Sequence, residues 1–371
     1  MNAFPIPVSV LTGFLGAGKT TLLNRLLKDP ALSDTAVIIN EFGDVAIDHL
    51  LVEQASDGVI QLSDGCLCCT VRGELVDTLA DLIDRLQTGK IAALKRVIIE
   101  TTGLADPAPV LQSIMAHPVL VQAFRLDGVI TAVDAVHGEA TLDAHIEAVK
   151  QAAVADRIVL TKADLVGDPN ALVTLQARLR SLNPSAQIVA AEAGEASYAA
   201  LFNCGLYNPE TKSADVRRWL GETHHHDHHE HDDDAHHHHH NHNHNHHDSR
   251  VTALSLTHNG PLPFSAVETF LDLLRSTHGD KLLRLKGVIE LVEDPSRPLV
   301  VHGVQTVLHP PAQLPAWPDA TRGTRLVVIM IDMPKDYVQA LFAGITNQPT
   351  TGGADRAALS NNPLAIAGFK A

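Results

Sequence analysis

The sequence contains few cysteines and lacks any long apolar run, and these shortages exclude several classes of protein. Three of its four cysteines are crowded into Cys66–Cys69. Adjacent cysteines pair with each other only under strain, so a disulfide framework is excluded and a reducing compartment is predicted. No stretch of eighteen apolar residues occurs, and residues 1–7 lack the basic and apolar regions of a signal peptide. We therefore expect a soluble cytoplasmic protein without a membrane partner.

Basic residues are also scarce, with 28 Lys and Arg against 43 Asp and Glu, which gives a net charge of −15 with histidines neutral. Such an acidic balance argues against nucleic acid as the partner. The 23 histidines would change this charge sharply as the pH falls or as metal binds. A length of 371 residues predicts two or three domains rather than one.

From residue 6 to about residue 210, short apolar runs alternate with helical patterns. The runs are continuous rather than alternating, as in strands that are buried on both faces. They predict an α/β domain in which helices cover both faces of a parallel sheet, the architecture of P-loop NTPases. The predicted strands are Val8–Leu11, Ala36–Asn40, Val97–Ile99, Gly128–Val133, Arg157–Leu160 and Ala186–Ala191.

The composition changes abruptly after Leu220. Residues 224–247 contain fifteen histidines interleaved with acidic residues and asparagines, which predicts a disordered linker. Regular patterning resumes at Val251 and predicts a small α+β domain whose antiparallel sheet is covered on one face. The first helix of that domain begins with a predicted capping box at Ser265 and Glu268. The predicted division is a P-loop domain at 1–210, a His-rich linker at 211–250, the α+β domain at 251–345 and a flexible tail at 346–371.

Gly13–Thr20 has the spacing G-x-x-x-x-G-K-T between a strand-like run and a helix with leucines at helical spacing. The backbone N–H groups of such a loop and of the first helical turn can wrap a phosphate chain. Lys19 is predicted to meet the β- and γ-phosphate oxygens, and the Thr20 hydroxyl is predicted to bind Mg²⁺. The predicted phosphate-binding residues are Gly13, Gly16, Ala17, Gly18, Lys19, Thr20 and Thr21.

Acidic residues follow two of the predicted strands on the phosphate side. Glu41 and Asp44 come after the second strand and could position Mg²⁺ or the attacking water, although a simple acidic turn is the alternative. Glu100 ends the third strand, and the N–H of Gly103 could sense the γ-phosphate. The predicted catalytic residues are therefore Lys19, Glu41, Asp44 and Glu100.

Thr161, Lys162 and Asp164 follow the fifth predicted strand. A carboxylate there can accept both N1–H and N2–H₂ of guanine, while the Lys162 stem packs on the ring, so GTP is the predicted nucleotide. A helix N-terminus capped by Asp164 is the alternative. Thr161 stands where GTPases more often have Asn.

Cys66, Cys68 and Cys69 bring three sulfurs within one turn of chain. Thiolates select Zn²⁺, Co²⁺ or Cu(I) over Mg²⁺, and the fourth position could be taken by Glu41, a nucleotide or a water. Buried structural cysteines and a redox pair are the alternatives. Cys204 is predicted to lie in the core. The histidine tract could gather or store metal or serve as a solvated spacer.

Together these motifs resemble the CobW-like P-loop GTPase metallochaperone family. The resemblance implies GTP and Mg²⁺ binding, slow GTP hydrolysis, and Zn²⁺ or Co²⁺ held by Glu41, Cys66, Cys68 and Cys69. It also implies delivery to a client apo-metalloprotein or a cobalamin-synthesis enzyme, and it is compatible with a nucleotide- or metal-dependent dimer. Metal storage with regulatory nucleotide binding is the alternative function. A small-molecule kinase is a third option, but it lacks an evident acceptor-binding lid. The resemblance is based on Gly13–Asn24, Ile39–Asp44, Gly65–Cys69, Glu100–Pro107, Thr161–Asp164, Leu283–Gly287 and His302–Gln305.

Overall fold

The structure is a computed structural model that describes residues 5–40, 60–63, 71–192, 195–204, 250–309, 311–317 and 320–346. Residues 40, 60–63 and 71–74 are described by their backbone. Several predicted features lie outside the described residues: Glu41, Asp44, Cys66, Cys68, Cys69, the histidine tract and the tail from residue 347 onward.

The N-terminal part of the chain forms a seven-stranded sheet in which every neighbouring pair is parallel. Its strands are β1 (Ile6–Gly13), β2 (Thr35–Asn40), β3 (Ile60–Ser63), β4 (Arg96–Thr101), β5 (Phe124–Asp134), β6 (Arg157–Thr161) and β7 (Gln187–Ala190). Their order across the sheet is β3-β2-β4-β1-β5-β6-β7. The predicted P-loop NTPase architecture is confirmed. The sequence analysis missed β3, a four-residue edge strand with mixed polarity.

Helices cover both faces of this sheet. They are α1 (Lys19–Leu26), α2 (Val71–Gln87), α3 (Ala108–Ala116), α4 (Leu120–Ala123), α5 (Gly138–Ala144), α6 (Ile146–Ala153), α7 (Pro169–Leu182) and α8 (Tyr198–Leu201). On β4, Val97 and Ile99 pack in one apolar core, while Ile98 packs with the leucines of α1 in another. Burial on alternate sides explains why the strand is apolar at consecutive positions.

The C-terminal part forms a separate antiparallel sheet and two helices. The strands are β8 (Val251–His258), β9 (Leu282–Ile289), β10 (Leu299–Val304), β11 (Val307–Leu308), β12 (Ala312–Gln313) and β13 (Thr324–Ile331). Their order is β11-β10-β9-β13-β8, and β12 also pairs with β10. The helices are α9 (Phe264–His278) and α10 (Lys335–Ile345). Within the described ranges, no helix combines the length and apolarity needed to cross a bilayer.

The prediction that this sheet is covered on one face was wrong, because both faces are covered. Helices α9 and α10 pack on one face through Phe270 and Phe342. On the other face, Val288 and Ile329 belong to the same apolar core as Leu111 of α3 in the N-terminal part of the chain. Strands β9 and β13 are consequently buried at every position. The two parts of the chain therefore share one continuous core.

The predicted capping box at Ser265 and Glu268 was also wrong. Helix α9 begins one residue earlier, at Phe264, and no side chain of its N-cap residue makes a capping hydrogen bond. The Phe264 N–H instead donates to the Glu293 carboxylate, with N–O distances of 3.0 and 3.1 Å. The partner of this N–H group is thus a residue from a distant loop. A motif of neighbouring residues could not reveal that partner.

A buried ionic cluster joins the two parts of the chain. The Asp156 carboxylate, directly before β6, accepts from the Arg284 guanidinium on β9 at 2.9 Å and also pairs with the Lys286 ammonium. The backbone N–H of Val129 donates to the same carboxylate at 2.8 Å. Burial alone would raise the pKa of Asp156, but the two cations and these hydrogen bonds hold it well below its usual value. Asp156 is therefore ionised at neutral pH and neutralises charge contributed by the C-terminal sheet.

Candidate functional site

The loop between β1 and α1 has the backbone geometry of a phosphate cradle. Gly16 and Gly18 adopt left-handed φ angles of 72° and 80°. Gly13 has a φ of 142°, and a Cβ there would lie 2.3 Å from the Ala132 carbonyl oxygen, so a side chain is excluded. Helix α1 has no side-chain cap. The first N–H groups of a helix have no partner within the helix and its dipole favours negative charge there, so this end of α1 suits an anion.

Two oxygen ligands suited to Mg²⁺ meet beside this loop. The Thr20 hydroxyl donates to the Glu100 carboxylate at 2.8 Å, although the two residues are 80 positions apart. The side chain of Glu100 is buried at the end of β4, which pairs with β1 in parallel. Hydroxyl and carboxylate oxygens are the hard ligands that Mg²⁺ prefers, so this pair fits the ion. The Lys19 ammonium reaches back along the loop to the Phe14 carbonyl, at 3.4 Å.

Gly103 lies directly against the phosphate-binding loop. A Cβ at this position would lie 2.7 Å from the Leu15 nitrogen and 2.8 Å from the Leu15 Cα. Those distances are shorter than real Cβ contacts, so only glycine allows the segment after β4 to approach the loop this closely. The structure therefore places the predicted γ-phosphate sensor at van der Waals contact with the phosphate cradle.

The segment after β6 is tied to the same loop by two side chains. The Thr161 hydroxyl donates to the Ala17 carbonyl at 2.8 Å, so threonine provides a hydrogen bond between the two loops. The Lys162 ammonium donates to the Gly16 carbonyl at 2.9 Å and to the Asp134 carboxylate at 2.7 Å. Asp164 is exposed in the short turn Ala163–Leu165, where its carboxylate can meet a ligand.

Two acidic residues that the sequence analysis missed hold this segment in place. Asp134 ends β5 and pairs with Lys162, and Glu192 accepts the Lys162 backbone N–H at 2.7 Å. Burial favours a higher pKa for Asp134, but the Lys162 hydrogen bond and the N–H groups of Val136 and His137 make the net shift downward. Both acids directly follow predicted strands, so the strand-end rule that found Glu100 could have found them.

A cavity of about 170 Å³ lies next to the loop between β1 and α1. Phe14 and Ala17 of the loop and Gln151 of α6 are among the residues that line it. Gln151 is buried and had no signal in the sequence, because it occupies the interior of a helix.

The proposed thiolate ligands Cys66, Cys68 and Cys69 lie outside the described residues. Among the residues that are described, no three His, Cys, Asp or Glu side chains are grouped so that they could hold a metal ion. The strands that lead toward Glu41 and Cys66 are described, and β2 and β3 are parallel neighbours with Ile39 opposite Ser63. Cys204 is buried, and burial raises the pKa of its thiol to about 12, which agrees with a core position.

Comparison with known proteins gives two family matches. Residues 7–190 match the CobW/HypB/UreG nucleotide-binding domain, and residues 251–346 match the C-terminal domain of the cobalamin synthesis protein CobW. Together the two matched ranges contain every predicted site residue and, apart from Ile6, both described sheets.

Individual relatives match over nearly the whole chain. The zinc chaperone YjiA of Escherichia coli is 35% identical over 341 residues, covering 92% of this chain and 99% of that protein. The zinc chaperone CobW of a Sinorhizobium species is 30% identical over 375 residues, covering 93% and 98%. The crystal structure of Zn(II)-bound YjiA GTPase superposes with a TM-score of 0.67 at 31% identity, covering 92% of this chain and 99% of that one. The chain therefore belongs to the CobW family, with the nucleotide-binding domain of that family followed by its C-terminal domain.

Proposed function

We propose that this protein is a GTP-hydrolysing metallochaperone that carries a transition metal to a client metalloprotein. The observation that carries the proposal is the Thr20–Glu100 pair beside a glycine cradle, in a chain related along its length to a GTPase zinc chaperone. The proposed domain division is the predicted one, with nucleotide binding in residues 1–210, a linker at 211–250 and a C-terminal domain at 251–345. The client is an apo-metalloprotein or a cofactor-synthesis enzyme, which would dock on the C-terminal domain.

The phosphate end of the site would use residues of the cradle. Lys19 and the backbone N–H groups from Gly13 to Thr21 would bind the phosphate oxygens, while Thr20, with Glu100 beside it, would hold Mg²⁺. When bound, Mg²⁺ would neutralise negative charge on the β- and γ-phosphate oxygens. Gly103 would direct its N–H toward the γ-phosphate.

The base end of the site would select guanine. Asp164 would accept N1–H and N2–H₂, a pair of donors that adenine lacks. Lys162 would pack its stem on the ring while its ammonium remains bonded to Gly16 and Asp134. The Thr161–Ala17 hydrogen bond supports this assignment, because it fixes the base-binding segment relative to the phosphate cradle.

The metal is the cargo of the protein, and Zn²⁺ or Co²⁺ suits the proposed ligands Glu41, Cys66, Cys68 and Cys69. Thiolates favour these ions over Mg²⁺, and a site with three sulfurs keeps a position open for exchange. Zinc is favoured by the names of the relatives, which are zinc chaperones. The parallel pairing of β2 with β3 supports a shared site, because the chain leaves both strands at the edge that carries the phosphate cradle.

Nucleotide and metal binding would be coupled through the segment that contains Glu41 and Asp44. GTP would draw that segment toward the cradle, with Asp44 and Glu100 orienting Mg²⁺ or the attacking water. Metal affinity would therefore depend on the nucleotide, and by reciprocity the metal would strengthen GTP binding by the same factor. Hydrolysis would loosen the metal site and release the ion to the client.

A competitive metal titration tests this proposal. The full chain is titrated with Zn²⁺ and with Co²⁺ against a chromophoric chelator, with Mg²⁺ and either GDP or a non-hydrolysable GTP analogue present. We expect one tight site with the GTP analogue, weaker binding with GDP, and loss of the site in Cys68→Ala. Cys204→Ala is the matched control and should leave the titration unchanged. Equal stoichiometry and affinity in the two nucleotide states would contradict the mechanism.

Metal storage is a second candidate, and the histidine tract is the observation that favours it. Deletion of residues 224–247 separates the two functions. A chaperone keeps nucleotide-dependent transfer to a client after this deletion, whereas a storage protein loses most of its metal capacity and its effect on the client.

A further inference from the structure

The side-chain amide of Gln151 donates two hydrogen bonds to the segment that follows β4. Its Nε2 lies 3.2 Å from the Gly103 carbonyl oxygen and 3.0 Å from the Ala105 carbonyl oxygen. Two carbonyl acceptors fix the orientation of the amide, because the opposite orientation would place the Gln151 oxygen against two other oxygens. The side chain is 1% exposed, so water does not compete for these bonds.

The Gly103 segment is thus held by two sets of contacts. Gly103 packs closely against the backbone of Leu15 in the phosphate cradle. The two Gln151 hydrogen bonds hold the carbonyls of Gly103 and Ala105. The segment therefore has little freedom to retreat from the cradle while Gln151 is in place.

Gln151 is itself anchored to the sheet. Its backbone carbonyl accepts from the Thr131 hydroxyl on β5 at 2.8 Å. The neighbouring Lys150 pairs with Asp106 at 3.0 Å, but that pair is more than a quarter exposed and is correspondingly weak. The Gln151 amide is therefore the stronger of these two side-chain contacts between α6 and the segment.

We propose that Gln151 is a positioning residue for recognition of the γ-phosphate, acting through Gly103. This inference rests on the proposed function and deepens it. The Gly103 N–H can donate to a γ-phosphate oxygen only while the segment stays against the cradle, and GDP has no γ-phosphate to receive that bond. Gln151 consequently sets the preference for triphosphate over diphosphate, and it contributes little to the binding of the base or of the α- and β-phosphates.

The test compares nucleotide affinities of the full chain. Gln151→Leu removes both donors, and Gln151→Met removes them with an unbranched side chain of similar length. We expect the affinity for a non-hydrolysable GTP analogue to fall about tenfold in each variant, as for loss of a hydrogen bond to a charged group, with GDP affinity within about twofold. The GTP hydrolysis rate at saturating nucleotide should fall as well, and the amides of residues 102–106 should exchange hydrogen faster.

The matched control is Asn183→Leu. The Asn183 amide is also buried and donates to the carbonyls of Ala152, Ala153 and Ala155, at the C-terminal end of the same helix and just beyond it, but it makes no contact with the Gly103 segment in these hydrogen bonds. This variant should lower the melting temperature as much as Gln151→Leu without changing the ratio of GTP-analogue to GDP affinity.

Three outcomes would overturn the inference. An unchanged affinity ratio in both Gln151 variants would do so, as would equal loss of GDP and GTP-analogue affinity, or an equal change of the ratio in Asn183→Leu. Failure of the wild-type chain to bind any guanine nucleotide would instead refute the proposed function. The two failures are therefore distinguishable in one set of titrations.

Discussion

The buried carboxylate between the two parts of the chain allows a quantitative prediction. Asp156→Asn keeps an oxygen that can accept the Val129 N–H but removes the charge that faces Arg284 and Lys286. Both cations have side chains that are no more than 5% exposed, so neither can be hydrated in the folded state. Breaking a buried ion pair in this way costs about 3–5 kcal/mol. We expect that loss in the free energy of unfolding.

Urea unfolding of the full chain, followed by tryptophan fluorescence and circular dichroism, measures this loss. Asp272→Asn is the control, because Asp272 pairs with Arg275 on the exposed face of α9, with side chains 59% and 49% exposed. A surface pair of this kind contributes less than about 1 kcal/mol. A loss below about 1 kcal/mol in Asp156→Asn would refute the reasoning that this cluster holds the two domains together.

The pH dependence gives an independent check. The folded state lowers the pKa of Asp156 below its unfolded value of about 4. Its contribution to stability is therefore fully present above pH 4 and is lost as the pH falls toward the folded pKa. The stability difference between wild type and Asp156→Asn should be constant from pH 7 to pH 5 and shrink below pH 4. A difference that shrinks above pH 5 would show that another group is responsible.

Three further predictions concern the nucleotide site and the core. Thr161→Val should lower the affinity for GTP and for GDP alike by about 5- to 10-fold in titrations, because the hydrogen bond to Ala17 is lost. Thr161→Ser keeps the hydroxyl and should bind both nucleotides as the wild type does. Equal affinities in the wild type and both variants would contradict the role of the hydroxyl. Gly103→Ala should abolish most GTP hydrolysis in a phosphate-release assay, because its Cβ cannot fit beside Leu15, and unchanged turnover would contradict the observed contact. Burial raises the pKa of the Cys204 thiol to about 12. In a variant in which Cys66, Cys68 and Cys69 are replaced by serine, Cys204 should therefore resist iodoacetamide at pH 8 and react after unfolding. Rapid labelling of the folded chain would disprove its burial.

Several elements could be predicted because their signals are local. The continuous run Val97–Ile99 indicated a strand buried on both faces, and β4 lies inside the parallel sheet, between β2 and β1. Strand β3 could not be found in this way, since an edge strand of four residues carries too little periodicity. The start of α9 was misplaced because its first N–H is satisfied by Glu293, which is 29 residues away in the sequence.

The sequence by itself determined the phosphate cradle and the parallel sheet, because glycine spacing and apolar runs act over a few neighbouring residues. Only the tertiary structure decided the partners of side chains that meet over long separations. The alternation Leu-Arg-Leu-Lys at 283–286 would suit a solvent-facing edge, yet Arg284 and Lys286 are buried against Asp156, which is 128 residues before Arg284. In the same way, the Gln151 amide reaches the Gly103 carbonyl 48 residues away. A charge or an amide is stable in the interior only when a partner is brought to it, and the packing of whole elements determines which partner arrives.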